Sequence, residues 1–259
     1  MDKIGIVYFS GTGNTKFVAR IIKRELERYN KEASLINIEK NKINTNEYKS
    51  IIIGGPIYVD RYPEILIKYL EENLKDFKGK CMLFSTQASY KEAIVFQHCI
   101  HRVPYLNITY TMFIPMPNNF YNFMFKKASK EEENKLLSQS IFLIRKGVKD
   151  FLEGNIKTYP NKNISEIMIN CVYNIVYPYY VNFVTKKITI DNEKCVHCKL
   201  CEKNCPVQCI KITDGVSFNK DCVFCQRCMN NCPKGAFEYK GKSIIQYSPD
   251  FRSVDIEEE

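Results

Sequence analysis

Apolar runs and amphipathic segments take turns along the first 150 residues. The stretch Ile4 to Phe9 is apolar, and the segment after it sets Val18, Ile22, Leu26 and Tyr29 at helical spacing, which predicts a strand and then a helix. Lys49–Gly54, Gly79–Ser85 and Ile108–Ile114 read as further strands, each bounded by turn residues. Pro63 opens another helix, at a position where its missing N–H is not needed. Ser129-Lys130-Glu131-Glu132 spells a capping box. The helix it starts carries Leu137, Ile141, Ile144, Val148 and Phe151 on one face, and that face is expected to pack on the sheet. Strands separated by helical patterns argue an α/β chain with a doubly wound parallel sheet. A ligand of such a sheet sits beyond the carboxyl ends of the strands.

Two long uncharged runs interrupt this rhythm. Val103–Phe125 extends the last strand into Met116-Pro117-Asn118-Asn119-Phe120-Tyr121, and is expected to cap a ligand site or a domain interface. Ile167–Thr185 is uncharged for 19 residues, near the length that spans a bilayer. Its three asparagines and Pro178 argue against a transmembrane segment. A helical arm packed between domains is the expectation, with peripheral membrane contact the lesser alternative.

The last quarter obeys a different rule. Cys195, Cys198, Cys201 and Cys205-Pro206 recur 27 residues later as Cys222, Cys225, Cys228 and Cys232-Pro233. Three thiolates at this spacing suit three irons of a cubane, and the cysteine before proline ligates the neighbouring cubane. Cys195, Cys198, Cys201 and Cys232 are therefore expected to hold one [4Fe–4S] cluster, and Cys222, Cys225, Cys228 and Cys205 a second. Structural zinc prefers two cysteine pairs across a longer spacer. A disulfide scaffold needs an oxidising compartment, and the start Met1-Asp2-Lys3-Ile4-Gly5 shows no secretory signal, so a cytoplasmic location is expected. Cys209 falls opposite Ala236 at the repeat offset and reads as a small buried side chain. Cys81, Cys99 and Cys171 are expected to be inert.

The first loop carries the other chemistry. Ser10-Gly11-Thr12-Gly13-Asn14-Thr15 lies between the first strand and the first helix. Amides at a helix N-terminus and the hydroxyls of Ser10, Thr12 and Thr15 suit a phosphate. A dinucleotide fingerprint is excluded because Lys16 stands where the third glycine belongs, even though Glu39 sits where a ribose-binding acid would. The triphosphatase loop ending in Gly-Lys-Ser/Thr is also absent.

This loop resembles that of the flavodoxin family, and with the paired cysteine motifs the chain resembles flavodoxin–ferredoxin fusion proteins of anaerobes. The resemblance implies a five-stranded sheet of order 2-1-3-4-5 over residues 1–158, a helical linker over 159–187, and a small α+β two-cluster ferredoxin domain over 188–259. It implies FMN, with its phosphate on Ser10 to Thr15. Two further loops, Pro56, Ile57 and Tyr58, and Ser85, Thr86, Gln87, Ala88 and Tyr90, would enclose the flavin ring. The chain has no tryptophan, so Tyr58 is the first candidate to stack on the flavin, followed by Tyr62, Tyr90 and Tyr121. His98 and His101 are expected to be structural rather than proton donors, and His197 to do no more than hydrogen-bond near a cluster.

Charge refines the picture of partners. Residues 1–185 hold 26 Lys/Arg against 18 Asp/Glu, and residues 186–259 hold 12 against 11. Thiolate-bound clusters would turn the second part negative, so the basic first part can attract it or steer an acidic redox partner. No basic run or nucleic-acid motif is visible. The expected function is electron transfer between FMN and the two clusters, and on to redox proteins such as a ferredoxin, a flavoprotein reductase or a terminal reductase. The alternative is a flavin oxidoreductase acting directly on NAD(P)H, a quinone or another small molecule.

Overall fold

The computed structural model describes residues 3–88, 95–158 and 171–251. Of these, 3–118, 128–158 and 250–251 form one compact unit, and 119–127 with 171–249 form another.

In the first unit β1 (Ile4–Tyr8), β2 (Ala33–Asn37), β3 (Ser50–Pro56), β4 (Lys80–Gln87) and β5 (Asn107–Pro115) make one sheet of order β2-β1-β3-β4-β5. Every pairing is parallel. Ile6, Ile51, Ile52, Ile53 and Leu83 are fully buried. A parallel sheet covered on both faces has no solvent side, which is why its central strands read as continuous apolar runs. The edge strand β2 is Ala-Ser-Leu-Ile-Asn and only partly buried, so it gave no such signal.

Helix α1 (Asn14–Arg28) buries Val18, Ile22 and Leu26, while Tyr29 projects into solvent. Helix α4 (Lys130–Leu152) begins with the reciprocal Ser129/Glu132 capping box. Its Leu137, Ile144, Val148 and Phe151 join the core of α1 and β5, with Ile141 packed at the margin. The sheet's other helices are α2 (Glu64–Asn73), which follows Pro63, and α3 (Val95–Arg102). Arg102 ties the two together by forked hydrogen bonds to Glu64 and Glu71, the shortest 2.8 Å. Fixed planar geometry makes such bidentate pairs more specific than a lysine contact.

The second unit contains a π-helical turn (Val172–Val176), α5 (Tyr177–Thr185) and five short strands: β6 (Ile188–Ile190), β7 (Ile210–Ile212), β8 (Val216–Phe218), β9 (Phe237–Tyr239) and β10 (Lys242–Ser243). They pair as β10-β9-β6 and β7-β8, all antiparallel. The sequence repeat reappears in the backbone. Left-handed residues His197, Lys199 and Gln208 are matched 27 positions later by Phe224, Gln226 and Gly235. The helical turns Leu200–Lys203 and Arg227–Asn230 stand at the same offset.

Two expectations for the uncharged runs need correction. Residues 119–127, assigned by sequence to the first domain, group with the second unit. Phe120 and Phe123 lie against Phe224 at ring-centroid distances of 5.6 and 4.9 Å, and Phe123 also meets Tyr239 at 4.9 Å. They supply aromatic area that so small a cysteine-rich unit lacks. Likewise α5 buries Val181 and Val184 in the core of the second unit, and Tyr177 donates a 3.1 Å hydrogen bond to the Val223 carbonyl. It is part of that unit's own packing. The expected linker residues 159–170 lie outside the described residues. Among those described, no helix is long and apolar enough to cross a membrane.

One close approach in the sheet permits a direct test. A Cβ at Gly54 would sit 1.9 Å from the Phe84 ring on the neighbouring strand. Gly54→Ala is expected to lower stability by about 1–3 kcal/mol, read as an earlier urea midpoint by far-UV circular dichroism.

Candidate functional site

Parallel register brings the carboxyl ends of β1, β3 and β4 side by side, with Tyr8 opposite Gly54 and Gly54 opposite Phe84. The three loops singled out in the sequence leave from these ends. After β1 the half-buried Ser10 to Gly13 turn into α1, and Gly13 caps the helix with φ of 116°. An L side chain rarely adopts that angle, so glycine is required here. The Lys16 amide donates to Ser10 Oγ at 3.2 Å, folding the loop back on the helix start. Asn14 Nδ2 donates to the Pro117 carbonyl at 3.1 Å.

Thr15 also makes a contact that the sequence did not predict. It is buried, and its Oγ1 stands 2.8 Å from Thr86 Oγ1 at the end of β4. That bond ties the helix N-terminus to the third loop, making Thr15 and Thr86 a brace between two loops. Ser10, Gly11 and Thr12 remain half-buried at the loop's face. Ser85 Oγ is buried without a hydrogen-bond partner among the described residues. Buried hydroxyls are almost always paired, so a polar ligand group at this loop would complete it.

The second loop contains half-buried Pro56, Ile57 and Tyr58. Tyr58 and Arg61 exchange backbone hydrogen bonds of 2.8 and 3.2 Å around Val59 and Asp60, both with positive φ. Such a two-residue turn normally takes Asn-Gly. A β-branched residue there costs on the order of 1–2 kcal/mol, and Val59 gave no sequence signal. Strain of this kind clusters at ligand loops. In the third loop Gln87 is half-buried and Ala88 exposed, and the Gln87 carbonyl accepts from the Met116 amide at 2.7 Å. Tyr90 lies outside the described residues.

The candidate stacking residues separate by burial. Tyr58 is half-buried on the loop, whereas Tyr62 is fully buried and donates to the Phe84 carbonyl at 2.7 Å. Its ring meets Phe96 edge-on in the core, and burial pushes its hydroxyl pKa well up, with Cys99 adding to it. Tyr62 is a core residue and cannot stack on a ligand. Tyr121 belongs to the second unit, under Lys127. A further aromatic was missed by sequence: Phe251 stacks on Phe17 at 4.5 Å and lies 3.5 Å from the position of a Cβ on Gly13. His98 is buried on α3 and His101 exposed.

In the second unit the cysteines sort into two hollows. One is lined by Cys195, Cys198, Cys201 and Cys232; the other by Cys222, Cys225, Cys228 and Cys205. Each set joins three cysteines of one motif to the proline-linked cysteine of the other. Counting space open to solvent, the hollows measure about 420 and 380 Å³. Among the described residues, no group of three or more His, Cys, Asp or Glu is placed to hold a metal ion. Four thiols spread around a hollow suit a multinuclear cluster better than one zinc. Backbone amides already serve the proline-linked sulfurs: the Cys209 N–H donates to Cys205 Sγ at 3.3 Å and the Ala236 N–H to Cys232 Sγ at 3.5 Å. Burial, with Cys225 next, pushes the Cys228 thiol well up.

The remaining cysteines are free. Cys81 and Cys99 are buried, and burial pushes both thiols up to about 12, which makes them unreactive. Cys171 is exposed. Cys209 is buried in the second hollow with its Sγ 3.5 Å from Cys205 Sγ.

Tyr62→Phe offers a check on the core assignment. Loss of its hydroxyl is expected to cost about 1–2 kcal/mol of stability while leaving flavin affinity unchanged in a fluorescence titration.

Comparison with known proteins agrees with this division. Residues 5–95 match the family model of a flavodoxin domain, and residues 188–211 match that of a 4Fe-4S binding domain. Among solved structures, a flavoprotein in complex with FMN from Lactobacillus acidophilus NCFM is 19% identical, spans 44% of this chain and 93% of its own, and gives a TM-score of 0.39. A flavodoxin from the domain Archaea is 16% identical over 57% of this chain and 99% of its own, with a TM-score of 0.38. Fusobacterium nucleatum flavodoxin bound to flavin mononucleotide is 13% identical over 61% and 100%, with a TM-score of 0.43. No curated protein matches the chain. Domains of these two kinds suggest a redox role in electron transfer. The chain carries an N-terminal flavodoxin domain and, in its C-terminal region, a 4Fe-4S binding domain.

Proposed function

We propose that this protein is an electron carrier that joins one FMN to two [4Fe–4S] clusters and exchanges electrons with other redox proteins, in the cytoplasm. The observation that carries the reading is the sorting of eight cysteines into two hollows, each completed by the other motif's proline-linked cysteine. FMN, when bound, exchanges electrons in ones or twos, and each cluster exchanges one at a time.

The chain's own residues supply binding and orientation. Ser10 to Thr12, with the first amides of α1, offer neutral donors to a phosphate monoester at a helix N-terminus. The Thr15–Thr86 brace holds the first and third loops at a fixed separation, so a ligand bound by one is positioned against the other. Tyr58 stands on the second loop as the aromatic face for the ring. In the other domain the amides of Cys209 and Ala236 orient the two proline-linked sulfurs before metal arrives. Covalent linkage keeps the two redox domains at high effective concentration. No nicotinamide fingerprint is present in the sequence, which favours protein partners over direct reaction with NAD(P)H. The basic balance of residues 1–185 favours an acidic partner such as a ferredoxin.

Cross-ligation has a sharp consequence. Cys205→Ala is expected to lower iron from about eight to about four atoms per chain. In a Cys225→Ala background, which already lacks that cluster, the same change should remove no more. Further iron loss there would assign Cys205 to its own motif. To test the carrier reading, the FMN- and iron-reconstituted protein is mixed anaerobically with NADPH or NADH. The expected result is no bleaching of flavin or cluster absorbance until dithionite or a reduced partner protein is added. Rapid bleaching by either nucleotide would make the protein a direct oxidoreductase.

A further inference from the structure

The two cluster hollows share the backbone turn at the proline-linked cysteine and differ in several lining side chains, Cys209 against Ala236 among them. Each proline-linked cysteine starts a turn in which the residue three on has positive φ, Gln208 in one and Gly235 in the other. In each turn the residue four on returns its amide to the cysteine sulfur, at 3.3 Å from Cys209 and 3.5 Å from Ala236. The backbone thus treats the two sulfurs alike. The side chains do not. Cys209 sets a second sulfur 3.5 Å from Cys205 Sγ, and Ala236 sets only a methyl group beside Cys232. Cys209 is 4% exposed and lines the hollow with Cys205, Cys222, Cys225 and Cys228.

We infer that Cys209 is a positioning residue that donates an S–H···S hydrogen bond to the cluster ligand Cys205, raising the reduction potential of the cluster that Cys205 helps to hold. The inference rests on the proposed ligation by Cys205. Geometry alone leaves either sulfur as the donor. A thiolate bound to iron has no proton, so in the loaded protein the hydrogen belongs to Cys209. Reduction adds one electron to the cluster, and part of its charge falls on the ligand sulfurs. No proton moves and the S–H bond stays intact. A donor aimed at that sulfur stabilises the more negative state and raises the potential, as hydrogen bonds to cluster sulfurs do. The S–H donor is weak but its own side chain is buried, which strengthens the bond. The bond therefore raises the potential of the cluster held by Cys222, Cys225, Cys228 and Cys205.

The experiment uses the reconstituted full chain and its Cys209→Ala and Cys209→Ser variants. Iron and sulfide are counted, and each cluster is titrated with dithionite under electron paramagnetic resonance. Cys209→Ala should keep the full iron content while one cluster becomes up to tenfold harder to reduce, a shift of about 59 mV, and the other stays in place. Cys209→Ser, which keeps a donor, should restore most of the difference. Iron–sulfur stretching bands should shift between H₂O and D₂O more in the wild type than in Cys209→Ala. Unchanged potentials, or equal shifts at both clusters, would overturn the hydrogen bond. Loss of iron in Cys209→Ala would make Cys209 a ligand and overturn it equally. Repeating Cys209→Ala on Cys225→Ala separates this inference from the ligation it rests on. No shift of the remaining cluster supports both. A shift that persists there keeps the hydrogen bond and reassigns Cys205 to the first hollow.

Discussion

Parallel strand pairing in register is the constraint from which the first domain's chemistry follows. Because β1, β3 and β4 run the same way and pair residue for residue, the loops that leave them must emerge at one edge. That edge brings together a helix N-terminus, a hydroxyl-rich turn and a strained turn, separated in sequence by about 75 residues from Ser10 to Ser85. Isoleucines fully buried in the centre anchor the strands between the helices on either face. The Thr15–Thr86 bond then fixes the loops themselves.

The second domain faces the opposite problem. Its strands are two or three residues long and the unit is small, so burial alone holds little. Three features compensate. The repeated left-handed positions bend each motif around its hollow, so the thiols face inward. Phe120 and Phe123 arrive from outside the cysteine region and pack on Phe224. Helix α5 adds Val181, Val184 and the Tyr177 hydrogen bond. Metal loading would contribute the rest, because binding to a site that exists only in the folded chain is folding free energy.

Positions that break local rules fall at the loops and hollows. Val59 adopts a conformation suited to glycine, and Ser85 Oγ is buried unpaired among the described residues. Cys209 replaces the methyl group that its repeat partner Ala236 provides. A sequence optimised for folding alone would avoid all three. Their concentration beside the proposed cofactors supports a functional origin for each.

The sequence by itself determined what short-range physics encodes. Apolar runs marked the buried strands, helical periodicity marked α1 and α4, and Ser129/Glu132 marked a helix start to the residue. Cysteine spacing grouped the eight thiols as they line the two hollows. Tertiary structure decided the rest. Strand β2, with its weak apolar pattern, is specified by its pairing with β1. Nothing local distinguishes Tyr58 from Tyr62, yet one stays on a loop and the other is buried under Phe96. The placement of Phe120 and Phe123 in the second unit, and of Cys209 Sγ beside Cys205 Sγ, likewise depends on contacts between distant segments or on the path of a turn. Periodicity records which face of an element is apolar; it does not record which distant surface that face meets.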